Sequence, residues 1–166
     1  MQSSQSGGGS RGGHSVVLLD TGPLGLLTHP RRESREEPTR WLTGLRRAGV
    51  RVAVPEIADY ELRRELLRAG QNIERLEELE RRLVYLPITT AVIQRAAALW
   101  AEARNAGKPT APDPALDADM VLAAQALVVS EELENDVVVA TTNPGHLSRV
   151  VEARDWREIE PAVGEE

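Results

Sequence analysis

Four or five short apolar runs rich in β-branched residues recur along the chain, each separated from the next by a stretch with helical spacing. The runs are "VVLL" from Val16, "VRVAVP" from Val50, "VYLPI" from Val84 and "DVVVA" from Asp136, with "WREIEP" as a possible edge strand. Short runs of this kind read as strands buried on both faces, and strands alternating with helices require crossover connections. The expected fold is therefore α/β in three α/β/α layers, with a central parallel sheet of four or five strands.

The helical stretches are bounded by breakers. A short helix follows Gly22-Pro23 and stops at Pro30, "RRESREEP" reads as a charged connection, and Thr39 to Ala48 is a helix ended by Gly49. Pro55 to Ala69 has Pro at its first position and Gly70 just past its end. "NIERLEELERRL" is a further helix, Thr90 to Ala106 the longest, and "LDADMVLAAQALVVS" a buried one after the loop "KPTAPDPA". Residues 1–15 are Ser/Gly/Gln-rich without apolar periodicity and are expected to be a flexible tail, leaving 16–166 as a single domain.

Composition narrows the chemistry. With 41% hydrophobic residues but no Phe, the core must be built from Leu, Val, Ile and Ala. The absence of cysteine excludes disulfides and thiolate metal sites. No run is long enough to span a membrane and no secretory segment is evident, so a cytoplasmic location is expected. The net charge of −6 argues against broad electrostatic capture of nucleic acid, although the cations are almost all Arg, Lys108 being the one lysine.

Ligands of an open parallel sheet collect at the carboxyl ends of its strands. Asp20 ends the first strand, where a turn or helix cap would serve equally well as an explanation. Glu61 lies on the helix after the second strand, with Glu65 one turn on, and either can pair with Arg64 or Arg68. Asp117 and Asp119 open the "LDADMVLAAQAL" helix, Asp117 being the natural cap and Asp119 facing a packed surface. Thr141, Thr142 and Asn143 follow the strand at Asp136 to Ala140. His146 reads as a packing or turn residue, and His14 and His29 carry no pattern.

Taken together, "LLDTGPL", "VPEIADYEL", "LDADMVLAAQAL" and "VVVATTNPGHL" resemble the PIN-domain nucleases, in particular the VapC-like toxins of type II toxin–antitoxin pairs. The resemblance runs from Val16 to the last strand. It implies an acidic site of Asp20, Glu61 and Asp119, with the triplet Leu122-Ala123-Ala124 fixing the register that selects Asp119. Many members carry Asp where this chain has Asn143, which brings no charge; Asp117 would then supply it. Neighbouring carboxylates repel, and a hard cation held by oxygen ligands, Mg²⁺ or Mn²⁺, relieves that repulsion. The expected metal ligands are Asp20, Asp119, Glu61, Asp117 and Asn143, with Thr21 and Thr141 orienting them. The resemblance implies hydrolysis of RNA by activated water, leaving 5′-phosphate and 3′-hydroxyl ends, a cognate antitoxin as partner, and homodimerisation.

Other readings are weaker. A dehalogenase-type phosphatase needs a second Asp where Gly22 stands, and a receiver domain needs a late lysine at a strand end, whereas Lys108 is in a loop. A PIN-like module that binds RNA or protein without cleaving is the alternative that Asn143 favours.

Overall fold

The computed structural model describes residues 14–106 and 113–161. In chain order the elements are β1 (Val16–Leu19), α1 (Thr21–Leu27), α2 (Arg32–Arg47), β2 (Arg51–Pro55), α3 (Glu56–Arg68), α4 (Glu74–Arg82), β3 (Val84–Leu86), α5 (Thr90–Asn105), α6 (Asp113–Leu133), β4 (Val137–Thr141) and β5 (Ala153–Asp155). The five strands form one parallel sheet in the order β3-β2-β1-β4-β5. Strand order reverses direction beside β1, so the crevice between the ends of β1 and β4 is where such a sheet holds a ligand.

The pleat divides the core. Val17, Leu19, Val52, Val54, Val138 and Ala140 face one layer, with Leu24 and Leu27 of α1, Leu42 and Leu45 of α2, and Leu76 of α4. Val16, Leu18, Ala53, Val137 and Val139 face the other, against Leu122, Ala123 and Ala126 of α6, with α5 packed behind through Val92 and Ala96. Small residues along α6 bring its axis close to the sheet. With no Phe, the largest fully buried side chain is Trp156, which meets Trp41 edge-on at 5.4 Å.

Three expectations are corrected. "RRESREEP" is the first half of α2, with Pro38 inside the helix and buried. The proline removes one backbone hydrogen bond there, a loss offset by packing of Pro38, Leu42 and Leu45 into the core. The edge strand is Ala153–Asp155, just before "WREIEP", whose Trp156–Glu158 segment is a 3₁₀ turn capped by Asp155. Finally, α6 starts at Asp113, so Asp117 lies within the helix and is no cap; Pro114 is tolerated because first-turn N–H groups have no intrahelical partner. Residues 1–13 of the expected tail, and most of the "KPTAPDPA" loop, lie outside the described residues, while Ser15 already joins the sheet, its N–H donating to the Asp136 carbonyl at 3.3 Å and its carbonyl accepting from Arg51 N at 3.0 Å.

Candidate active site

Asp20 is placed by two strands and a helix at once. Its N–H donates to the Ala140 carbonyl of β4 at 2.9 Å, and its own carbonyl accepts from Leu24 N at 3.1 Å, the first turn of α1. As the residue before α1, its Oδ1 accepts from Thr21 N at 2.7 Å. Its Oδ2 accepts from Thr141 Oγ1, at the end of β4, at 2.8 Å. Both oxygens are thus oriented by neutral donors, and each keeps lone-pair capacity.

Glu61 reaches the same place from α3. Thr21 Oγ1 donates to Glu61 Oε1 at 3.2 Å, so Thr21 touches Asp20 through its backbone and Glu61 through its hydroxyl. Thr141, Asp20, Thr21 and Glu61 therefore form one continuous chain of hydrogen bonds. The nearest cation is Arg64, whose guanidinium stands 3.9 Å from Glu61 Oε2, with half of its side chain exposed. Glu65, the competing carboxylate on α3, faces solvent and pairs with Arg68 at 2.8 Å.

Asp119 completes the group from α6. It is half-buried, and burial raises its pKa, followed by the negative charge of Asp20; His146 acts in the opposite direction. Glu61 is likewise raised, chiefly by burial and next by Asp20, with Asp119 adding to the effect while Thr21 and Arg64 oppose it. Two acids from different helices thus feel the same third carboxylate across one space. Their charge is only weakly compensated by protein cations.

The other sequence candidates are less closely engaged. Asp117 is exposed, and a separation of two residues turns it by about 200° around the helix from Asp119, so it does not stand beside it. Asn143 is exposed in the loop after β4. Its N–H donates to Thr141 Oγ1 at 3.1 Å, and its Oδ1 accepts from Gly145 N at 3.4 Å. The side-chain oxygen is turned into its own loop, while the backbone helps to fix Thr141. His146 is exposed near Asp119, a closer association with the acids than a turn residue alone implies.

Two supports escaped the sequence reading. A Cβ on Gly22 would stand 2.5 Å from Thr142 Oγ1, so only glycine lets α1 start this close to the end of β4. Gln125, 1% exposed, donates from Nε2 to the Leu86 carbonyl at 2.8 Å and accepts from Ile57 N at 3.4 Å. It ties α6 to β3 and to the start of α3, which fixes the helix of Asp119 against that of Glu61. The signal was a lone amide within the apolar run "LAAQALVV".

The donor set is all oxygen and carries negative charge that Arg64 offsets only in part, which is the chemistry a hard divalent cation fits. No group of three His, Asp or Glu side chains among the described residues is already drawn together to hold an ion. Asp20 and Glu61, each anchored by a threonine hydroxyl, fit such an ion in chemistry.

Comparison with known proteins bears on the family and the fold. The family model described as PIN domain matches residues 17–153. The fold is similar to that of a chain in VapBC2 from Rickettsia felis bound to a DNA fragment from their promoter, with a TM-score of 0.66, 16% identity, and coverage of 85% of this chain and 98% of that one. It is also similar to chains in VapBC-1 from nontypeable Haemophilus influenzae (TM-score 0.62, 17% identity, covering 86% and 99%) and FitAcB from Neisseria gonorrhoeae (TM-score 0.58, 22% identity, covering 86% and 99%). No curated protein matches the sequence at a significant level.

Proposed function

Because the chain belongs to the PIN-domain family, we propose that it is a Mg²⁺- or Mn²⁺-dependent endoribonuclease and the toxin of a type II toxin–antitoxin pair. The observation that carries this reading is the run Thr141–Asp20–Thr21–Glu61, linked by hydroxyl and amide donors, with Asp119 facing it. Asp20, Glu61 and Asp119 would hold the cation. When bound, it supplies Lewis-acid polarisation of the phosphate and of the attacking water.

The chain's own residues do the rest. Asp20, locked by Thr21 N and Thr141 Oγ1, fixes the position of the site relative to the sheet. Glu61, its pKa raised by burial and by Asp20, is suited to orienting water and to accepting its proton. Asp119 balances Glu61 from the opposite helix. Asn143 steadies Thr141 through its backbone, and no role for Asp117 in the site follows from its exposed position.

The partner in this reading is a cognate antitoxin, as in the toxin–antitoxin structures the fold resembles. Homodimerisation belongs to the same reading, and exposed Ile93 and Trp100 on α5 offer a second copy an apolar stripe. No helix among the described residues is long and apolar enough to cross a membrane; the cytoplasm is the compartment this reading assigns.

The test is incubation of purified protein with mixed RNA and Mn²⁺, repeated with EDTA and with Asp20→Ala. Cleavage that depends on both the metal and Asp20 supports the proposal, and cleavage that survives either change overturns it. The second reading, a PIN-like module that binds without cutting, is favoured by one observation: the uncharged Asn143 turned into its own loop. RNA binding without cleavage in the same assay would support it.

A further inference from the structure

The chain has five aromatic residues, three Trp and two Tyr. Trp41 and Trp156 pack together in the core. The Tyr85 hydroxyl is held by Asp59 at 2.8 Å and Glu56 at 3.3 Å. Trp100 is on α5, 37% exposed. Tyr60 differs from all of these. It is 57% exposed, the most open of the five, and it immediately precedes Glu61 on α3.

Arg64 joins Tyr60 to the site. Its guanidinium carbon is 5.1 Å from the centre of the Tyr60 ring, and the same guanidinium stands 3.9 Å from Glu61 Oε2. On a helix, Arg64 lies about 60° around from Glu61 and Tyr60 about 40° further. The three side chains therefore run in order from the acidic site outward: carboxylate, cation, aromatic ring. Burying an aromatic face would explain nothing here, since the ring is left to solvent. A flat ring beside a cation is the pairing on which single-stranded nucleic acid rests its bases and phosphates.

We propose that Tyr60 and Arg64 form a stacking ledge for the base of the nucleotide next to the scissile phosphate, and so help to select where RNA is cut. Arg64 meets the phosphate leaving the site and Tyr60 receives the base. In a chain of net charge −6, this places a cation where the substrate's backbone must pass. The ledge is a positioning element and takes no part in bond breaking. It rests on the ribonuclease reading given above.

The test uses the full chain and a fluorescent pool of single-stranded RNA hexamers, bound in EDTA so that no cleavage occurs, followed by cleavage in Mn²⁺ with the cut positions sequenced. Tyr60→Ala is expected to weaken hexamer binding by about 5- to 150-fold, the range measured for loss of one base–aromatic stack. It should raise KM more than it lowers kcat and spread the cut positions. Tyr60→Phe keeps the ring face and should stay within about twofold of the parent. Equal melting temperatures would show that both variants fold, as expected at an exposed helical position.

Tyr60→Ala binding and cutting like the parent would overturn the ledge while leaving the nuclease reading intact. A parent protein that neither binds nor cuts the RNA would overturn the nuclease reading, and the ledge with it. Tyr60→Ala that keeps RNA affinity but loses a protein partner would also overturn the proposal, in favour of a docking surface.

Discussion

Helix α3 carries carboxylates on two sides, and its surroundings treat the two groups in opposite ways. On one side, Asp59 meets Arg63 Nε at 3.0 Å and the Tyr85 hydroxyl at 2.8 Å, while Arg63 extends to Glu77 of α4 at 3.1 Å and to Glu80 at 3.3 Å. Glu56 accepts from Ile88 N at 2.8 Å. On the other side, Glu61 meets a threonine hydroxyl and faces Asp20 and Asp119. One guanidinium at the centre of the first group joins α3 to α4 and supplies the positive charge internally. The second group is oriented by neutral donors, and Arg64, 3.9 Å from Glu61 Oε2, offsets only part of its charge. Abundance of acid therefore does not by itself mark a functional site; the first group is organised around a guanidinium, the second around hydroxyl and backbone donors.

The contrast can be broken at its strongest point first. Asp119→Asn should reduce Mn²⁺-dependent RNA cleavage by more than about 10²-fold, since loss of even an orienting group around a metal costs about 10- to 100-fold. Its urea midpoint should stay level or rise, because repulsion with Asp20 and Glu61 is relieved. A large loss of stability in Asp119→Asn would show that the site is a structural cluster like the other.

Arg63→Ala should behave in the reverse manner. Removing the shared cation leaves Asp59, Glu77 and Glu80 facing one another, and unfolding stability should fall by about 2–3 kcal/mol. Cleavage by the fraction that remains folded should be near that of the parent. Unfolding curves and activity per folded molecule check both halves.

Thr141→Val sharpens the comparison within the site. It removes the hydroxyl that donates to Asp20 Oδ2 and accepts from Asn143 N, so the metal concentration for half-maximal activity should rise by about 10-fold.

The smallest effect is in pH. Glu80 is pushed up to about 7, by burial first and then by neighbouring Asp59. A carboxyl raised in the folded state contributes stability that is fully present below its unfolded value near 4.5 and is lost as pH rises through about 7. Urea midpoints should therefore decline between pH 5 and pH 8, and Glu80→Gln should flatten that decline. Glu61 and Asp119 are raised as well, so divalent-cation binding should strengthen as pH rises and they ionise. Since raised carboxyls at Glu61 and Asp119 also lower stability as pH rises, Glu80→Gln separates the two clusters: it should flatten the stability decline and leave the pH dependence of metal loading unchanged.

The fold was largely legible because its signal is local. Runs such as "VVLL" and "VVVA" are too short and too β-branched for helices, and helices between them leave a parallel sheet as the way to pair their backbones. Pro38 misled because helix breaking is also a local rule, whereas the packing that retains it belongs to α2 as a whole. The site was legible in part. Asp20 at a strand tip and the register of Leu122-Ala123-Ala124 pointed to positions that the structure sets facing one another. Asp117 read as the cap of a helix whose start proved to be Asp113. Gln125 and Gly22 were missed because each acts through a neighbour distant in sequence, Leu86 for one and Thr142 for the other.

The sequence by itself determined the alternation of strands and helices and the carboxylate at the end of β1, since both follow from the order of side chains along a few residues. Only the tertiary structure decided which acids are neutralised within the protein. Glu56, Asp59, Glu61 and Glu65 occupy a single helix, and spacing alone does not tell which of them faces the sheet. Whether Glu56 meets Tyr85 and Glu61 meets Thr21 depends on what the sheet and the neighbouring helices carry to them. The one-turn pairs Asp59–Arg63 and Glu65–Arg68 follow a local rule, but the meeting of Glu56 with Tyr85 and of Glu61 with Thr21 crosses 29 and 40 residues of chain, and helix spacing cannot assign those.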